Sequence, residues 1–274
     1  MNKEIKLTGL RTNDKIISES ISFLSANFRV LFLPLIKITL PVLLIIMVAE
    51  SYLSFNYFKG GSSLFDYLLE GSYYSAAGSV FSYMLISLFV LSGLTLHYRG
   101  EVISPGSIMR TVRISGLPFL VLTLLFFIAA AFSVILLFVP VLFLYVLYSI
   151  ATAEVVVEEV PVFNSIRKAH QLLKRNYWKT FWLSMILGII QFFMGFVFEL
   201  PATFFQISLS LHDAVNSPGF TDVMILQLIE LSSRFAYLFS IIFWTGIYMQ
   251  YFNLREMKQG DVLLNQIEQK FGNH

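Results

Sequence analysis

Apolar residues in this chain come in long runs, and short polar or amphipathic stretches separate them. The runs cover about Val30–Ala49, Ala76–His97, Leu117–Phe138, Val141–Val157, Trp178–Phe198 and Asp222–Phe252. Each is long enough for a helix to cross the roughly 30 Å apolar core of a bilayer. The last is longer than a crossing needs, so its first turns, up to about Arg234, belong at the outer interface.

The stretches between the runs are not all alike. From Thr12 to Phe28, Ile16, Ile17, Ile21, Phe23, Leu24 and Phe28 recur at helical spacing, with Asp14, Lys15, Glu19 and Ser20 on the other face. This predicts an interfacial amphipathic helix ahead of the first span. A shorter elbow of the same kind covers 105–115, where Arg110 and Arg113 flank Ile108, Met109, Val112 and Ile114. A third covers 162–176, entered through Glu158, Glu159 and Pro161 and left through Asn176, Tyr177 and Trp178. Residues 50–75 and 202–221 read as outer connections. Leu64–Leu69 is a candidate short surface helix, and the first half of 202–221 has helical character. Val139 and Pro140 make a tight outer turn. Pro201 closes the fifth span, and the tail Asn253–His274 predicts a short cytoplasmic helix interrupted at Gly260. The domain reading is thus one transmembrane domain over 1–252 with an N-terminal amphipathic helix at 12–28, and a tail helix over 253–274.

Composition strengthens the membrane reading. Of the 274 residues, 57% are hydrophobic and 13% charged, against about 25% charged in ordinary soluble domains. The 28 Phe and 13 Tyr are mostly lipid-facing and interfacial bulk. There is no cysteine, which excludes disulfides, thiolate metal sites and cysteine nucleophiles. The charged stretch before the first apolar run predicts no cleavable signal peptide. Net charge is only +2, so its distribution matters more than its total. Of 19 Lys and Arg, 16 fall before span one, between spans two and three, between spans four and five or in the first turn of span five (Lys179), or after span six; Lys59 alone lies in an outer loop. That asymmetry puts both termini in the cytoplasm.

Each elbow precedes a pair of spans, so the chain predicts a three-fold elbow–hairpin repeat in an all-α, six-span protein. Phe23-Leu24-Ser25-Ala26-Asn27-Phe28 at the first junction corresponds to Leu172-Leu173-Lys174-Arg175-Asn176-Tyr177 at the third. The third junction carries a further likeness. Glu158-Glu159, then Phe163 to Ala169, then Leu172-Leu173-Lys174-Arg175-Asn176-Tyr177-Trp178 resembles a bacterial membrane family. That family includes the membrane domain attached to some glycerophosphoryl diester phosphodiesterases and stand-alone integral membrane proteins. Arg175 stands where the family often has glycine. The segment Tyr251 to Gly260 is similar to the tail of stand-alone members. The resemblance implies the six-span layout and a bacterial inner-membrane location. It implies no phosphodiesterase activity, because that chemistry belongs to a separate soluble domain.

Candidate chemistry is sparse. Lys37 and Glu154 lie at similar depth from the same membrane face, and charged residues at such places are costly and functional candidates by default; an interhelical pair is one reading, and a Lys37 stem that climbs back to the headgroups is the other. Glu230 and Arg234, one turn apart, suit an ordinary outer interfacial pair. Arg167, Lys168, Lys174 and Arg175, with Trp178 beside them, are the candidate interface for anionic lipid headgroups or a partner membrane protein. No histidine pair has metal-ligand spacing, no nucleophile elbow occurs, and no phosphate-cradling loop is present, so neither enzyme activity, cofactor nor metal is expected. The basic clusters flank spans, so lipid and topology explain them better than nucleic acid. The leading expectation is a non-enzymatic membrane subunit or scaffold. The alternative is a small transporter or lipid-handling protein with a cavity between repeats.

Overall fold

A computed structural model describes residues 10–59, 72–135, 139–212, 225, 228–229 and 235–271 of the chain. Among them the fold is all-helical, with seven α-helices and one 3-10 segment. The helices are α1 (Asn13–Lys59), α2 (Ser72–Tyr98), α3 (Pro105–Ile135), α4 (Val139–Glu158), α5 (Val162–Leu173), α6 (Tyr177–His212) and α7 (Ser240–Phe271), the last preceded by the 3-10 turn Phe235–Phe239. Five of these, α1 to α4 and α6, contain segments long and apolar enough to cross a membrane. The sixth run lies partly outside the described residues. Glu230, Arg234 and the stretch Leu64–Leu69 also fall there.

Sequence signals explain where the chain breaks and where it does not. After α2 the backbone turns through Gly100, at φ +69°, with Gly100 N–H donating to His97 O and Glu101 N–H to Leu96 O. This pair of bonds, closed over a left-handed residue, stops a helix while satisfying its last carbonyls. Ser104 then starts α3. Its hydroxyl accepts from Ser107 N–H at 3.1 Å, the Ser107 hydroxyl accepts from Ser104 N–H at 2.8 Å, and Pro105 fills the first helical position. At the end of α4, Pro161 bars Val160 from helical geometry, and Glu159 adopts φ +53°. Arg99 covers that end, donating to Val157 O and to Glu159 Oε1, each at 2.9 Å.

Four expected breaks are absent. The elbow at 12–28 is not a separate helix but the first turns of α1, which continues through Pro34 and Pro41. Nothing between Phe28 and Val30 breaks a helix, and each proline removes only one backbone donor that neighbours can offset. The elbow at 105–115 likewise runs straight into α3, because Gly116 weakens a helix by only about 1 kcal/mol and does not end it. Of the three elbows only the third is a helix of its own. Pro201 does not close α6 and Gly260 does not interrupt α7; both helices run on, to His212 and Phe271.

The described residues form two compact units. The first comprises residues up to 31, 91–189 and 242–274. Its centre is α7, where every residue from Phe243 to Leu254 is buried, polar Thr245, Gln250 and Asn253 included. The C-terminal half of α4, Ser149–Val157, is buried on all faces as well. The second unit comprises 32–90 and 190–241, where Tyr83 meets Tyr237 edge-on at 5.7 Å and Phe198 meets Phe239 at 5.3 Å. By contrast, only 22% of the most apolar window of α6 and 28% of that of α3 is buried. Phe192, Phe193, Leu124 and Phe132 stand exposed on these helices. An apolar surface of that extent suits hydrocarbon, not water, and the chain is accordingly a multi-pass membrane protein.

Candidate functional site

The elbow α5 is where sequence, charge and packing converge. Its twelve residues bury one face, Ser165, Ala169, Leu172 and Leu173. Helical spacing puts Phe163, Arg167, His170 and Lys174 on a stripe roughly opposite, and all four are exposed. Among the described residues, Arg167, His170 and Lys174 have no hydrogen-bonding or ion-pairing side-chain partner. Lys168 and Gln171 occupy the flank between the two faces. Lys168 Nζ lies 3.8 Å from Glu154 Oε2 on α4, and Gln171 Oε1 accepts from Lys258 Nζ on α7 at 3.3 Å.

The direction of α5 follows from what it meets. Lys168 faces Glu154, Lys174 lines a cleft with Leu144 and Leu147, and the Tyr177 hydroxyl donates to Leu142 O at 3.3 Å. Forward steps along the elbow are matched by backward steps along α4, so the two helices run antiparallel. The elbow folds back on α4 instead of leaving it as a crossbar. At the far end, Tyr177 stacks on Phe143 with ring centroids 4.8 Å apart, and Trp178 meets Phe143 edge-on at 5.9 Å while remaining exposed.

This arrangement revises the expected intramembrane pair. The cation beside Glu154 is Lys168 of the elbow, and Lys37 is exposed on α1. Sequence depth alone matched Lys37 to Glu154, because it could not see that a twelve-residue elbow returns along α4. Glu154 is buried, and its Oε2 receives no hydrogen bond. Next to it Glu158 pairs with Arg255, whose guanidinium also sits 5.6 Å above the Tyr251 ring. Arg175 is exposed at the turn after α5. Glu230 and Arg234 lie outside the described residues.

A second polar set was missed. Asn253 Oδ1 accepts from Arg11 N–H at 2.9 Å while its Nδ2 donates to Arg11 O at 3.1 Å. The same Nδ2 reaches Gln250 Oε1, and Gln250 Nε2 donates to Thr180 Oγ1 at 2.8 Å. Asn13 Nδ2 donates to Lys179 O at 2.8 Å. The network ties Arg11, just before α1, and Asn13, which begins it, to the start of α6 and the middle of α7. Gln250 and Asn253, three apart in an otherwise apolar and aromatic run, were the available signal, since such amides are buried only where partners await them.

Among the described residues no group of three or more His, Asp or Glu gathers as a metal site would need. The arrangement offers instead an exposed cationic stripe, a clamped elbow and an apolar cleft at one end of it. No protein-family model, curated protein or solved structure matches the chain.

Proposed function

We propose that this chain is a non-enzymatic subunit or scaffold of the bacterial inner membrane, six-span with both termini cytoplasmic, whose elbow α5 engages anionic lipid headgroups. One observation carries the reading. Arg167, His170 and Lys174 share an exposed face and lack carboxylate partners among the described residues, while the opposite face is packed. Each Lys or Arg near an anionic leaflet contributes about 1 kcal/mol of attraction. Exposed Phe163 and Trp178 beside the stripe suit the headgroup layer. The Lys/Arg asymmetry supports the orientation, and the likeness of 158–178 to the membrane domain found beside some phosphodiesterases supports the bacterial location.

Two measurements test this. The chain has no cysteine, so single-cysteine variants at positions 59 and 167 report sidedness by labelling with a membrane-impermeant reagent in intact spheroplasts. Labelling at 59 and protection at 167 is expected, and the reverse overturns the orientation. Native mass spectrometry after mild detergent extraction then identifies what co-purifies. Anionic lipid retained by the wild type and reduced in Arg167→Gln/Lys174→Gln is the expected result. A stoichiometric protein bound through the same face would make a protein, not lipid, the elbow's ligand. Glu154 favours a second reading, transport or lipid handling. A buried carboxylate with one oxygen free of hydrogen bonds suits a path for a cationic or protonated group.

A further inference from the structure

We infer that the cleft where α5 meets α4 and the start of α6 holds one anionic phospholipid, with an acyl chain in the cleft and its phosphate against Lys174 and His170. The inference rests on the elbow's engagement with lipid and narrows it from a surface to one site.

The cleft has a volume of about 400 Å³ and is lined by Phe143, Leu144, Leu147, His170, Leu173, Lys174 and Tyr177. That volume lies in the range of specific ligand sites. Apart from His170, Lys174 and the Tyr177 hydroxyl, the lining is apolar, and that hydroxyl is engaged with Leu142 O. A site with an apolar floor, and the Lys174 ammonium and His170 imidazole at its edge, matches an amphiphile with a negative head. A free anion would leave the leucines and Phe143 uncovered, and a neutral hydrocarbon would leave Lys174 without a partner.

Position along the helix sharpens the match. Leu147 stands eleven residues before Glu158, the last residue of α4, so Lys174 sits roughly 16 Å along α4 from that end. Lys174 is exposed at the mouth of this cleft, and among the described residues no carboxylate pairs with it. A bound phosphate supplies the charge, and the chain attached to it fills the apolar floor. The Lys168–Glu154 contact and the Gln171–Lys258 hydrogen bond hold the elbow in this place without using Lys174 or His170.

The test adds phosphatidylglycerol or phosphatidylcholine to delipidated full-length protein and follows retention by native mass spectrometry at rising collision energy. The wild type should keep one phosphatidylglycerol after the others are stripped and should not keep phosphatidylcholine. Leu147→Trp, which fills the cleft, should lose that last lipid. Lys174→Gln, a surface change that leaves the packing intact, should weaken it about fivefold. Arg167→Gln, on the stripe but not in the cleft, should lower only the loosely held lipids. If Leu147→Trp and Lys174→Gln both keep the last lipid while Arg167→Gln sheds loose lipid, the cleft is refuted and the surface reading stands. If no elbow variant changes retention of anionic lipid, both fall. Equal retention of the two lipids overturns the phosphate contact. Matching melting curves for wild type and Lys174→Gln show that its loss of lipid is not misfolding.

Discussion

Gly246 on α7 faces Leu187 on α6 so closely that a Cβ at Gly246 would lie 2.4 Å from Leu187 Cδ1. The glycine lets two helices approach where any side chain would hold them apart, as small residues do throughout membrane helix pairs. Gly246→Val should lower stability by about 1–3 kcal/mol through overpacking. Because the obstacle is a side-chain tip and not backbone, Leu187→Ala should restore much of the loss in the double variant. Thermal unfolding in detergent, followed by circular dichroism, measures both. A double variant no better than Gly246→Val would mean the strain lies elsewhere.

Asn253 and Arg11 are 242 positions apart in sequence, yet two hydrogen bonds join the side chain of one to the backbone of the other. Asn253→Ala leaves the Arg11 amide and carbonyl without these partners and should cost about 2–3 kcal/mol. The effect should be local. Hydrogen exchange should accelerate over residues 10–20 more than in α4. Asn253→Asp keeps an acceptor for the Arg11 N–H but loses both donor bonds, so its exchange should fall between alanine and wild type. Uniform acceleration across the whole chain would show that Asn253 supports the core and not the N-terminal segment.

The helical character of the chain was legible because runs such as Leu117–Ile135 leave a membrane-sized helix as the only way to satisfy the backbone. The elbow α5 was legible for a different reason. Its pattern has helical period, Pro161 bars the helix before it, and Asn176-Tyr177 restarts the chain. The first two elbows looked equivalent in pattern, but Pro34 and Pro118 after them lie inside continuous helices, and periodicity cannot distinguish an amphipathic helix from the amphipathic end of a longer one. The partner of Glu154 was not legible, because it depends on the direction taken after the Glu159–Pro161 turn. The Arg11–Asn253 tie was out of reach for the same reason, since its ends meet only after every span has packed.

Glu159 holds φ +53°, a left-handed conformation that costs a non-glycine residue about 1–2 kcal/mol. Its carboxylate meets Arg99 at 2.9 Å, with both side chains about a third exposed, so the pair returns less than about 1 kcal/mol. Glu159→Gly should therefore leave the melting temperature unchanged or raise it slightly. Glu159→Val, branched at Cβ and without the carboxylate, should lower it by the equivalent of about 1–3 kcal/mol. Arg99 still covers Val157 O in both variants, so the difference between them reads the backbone. If glycine proved the worse of the two, the ion pair with Arg99 would be the larger contribution.

Lys168 stands 3.8 Å from Glu154, and the two side chains differ in exposure, 48% for the lysine and 6% for the carboxylate. The ammonium is half in solvent and loses little when the pair is broken. The carboxylate is buried and has no hydrogen bond to Oε2, and Lys168 is the largest of the groups that stabilise its charge, ahead of Arg255 and the Tyr251 hydroxyl. Lys168→Met should destabilise by about 1–3 kcal/mol, because it takes the main compensating charge from a buried carboxylate. Glu154→Gln removes the charge that needs compensating and should cost less. The double variant should match Glu154→Gln alone, because the lysine has nothing left to neutralise. Lys168→Arg should behave as wild type. Melting curves of the four variants decide the matter. Additive losses in the double variant would show that Lys168 acts on something other than Glu154, and the elbow would then be held to the bundle by its apolar face and by the Gln171–Lys258 bond.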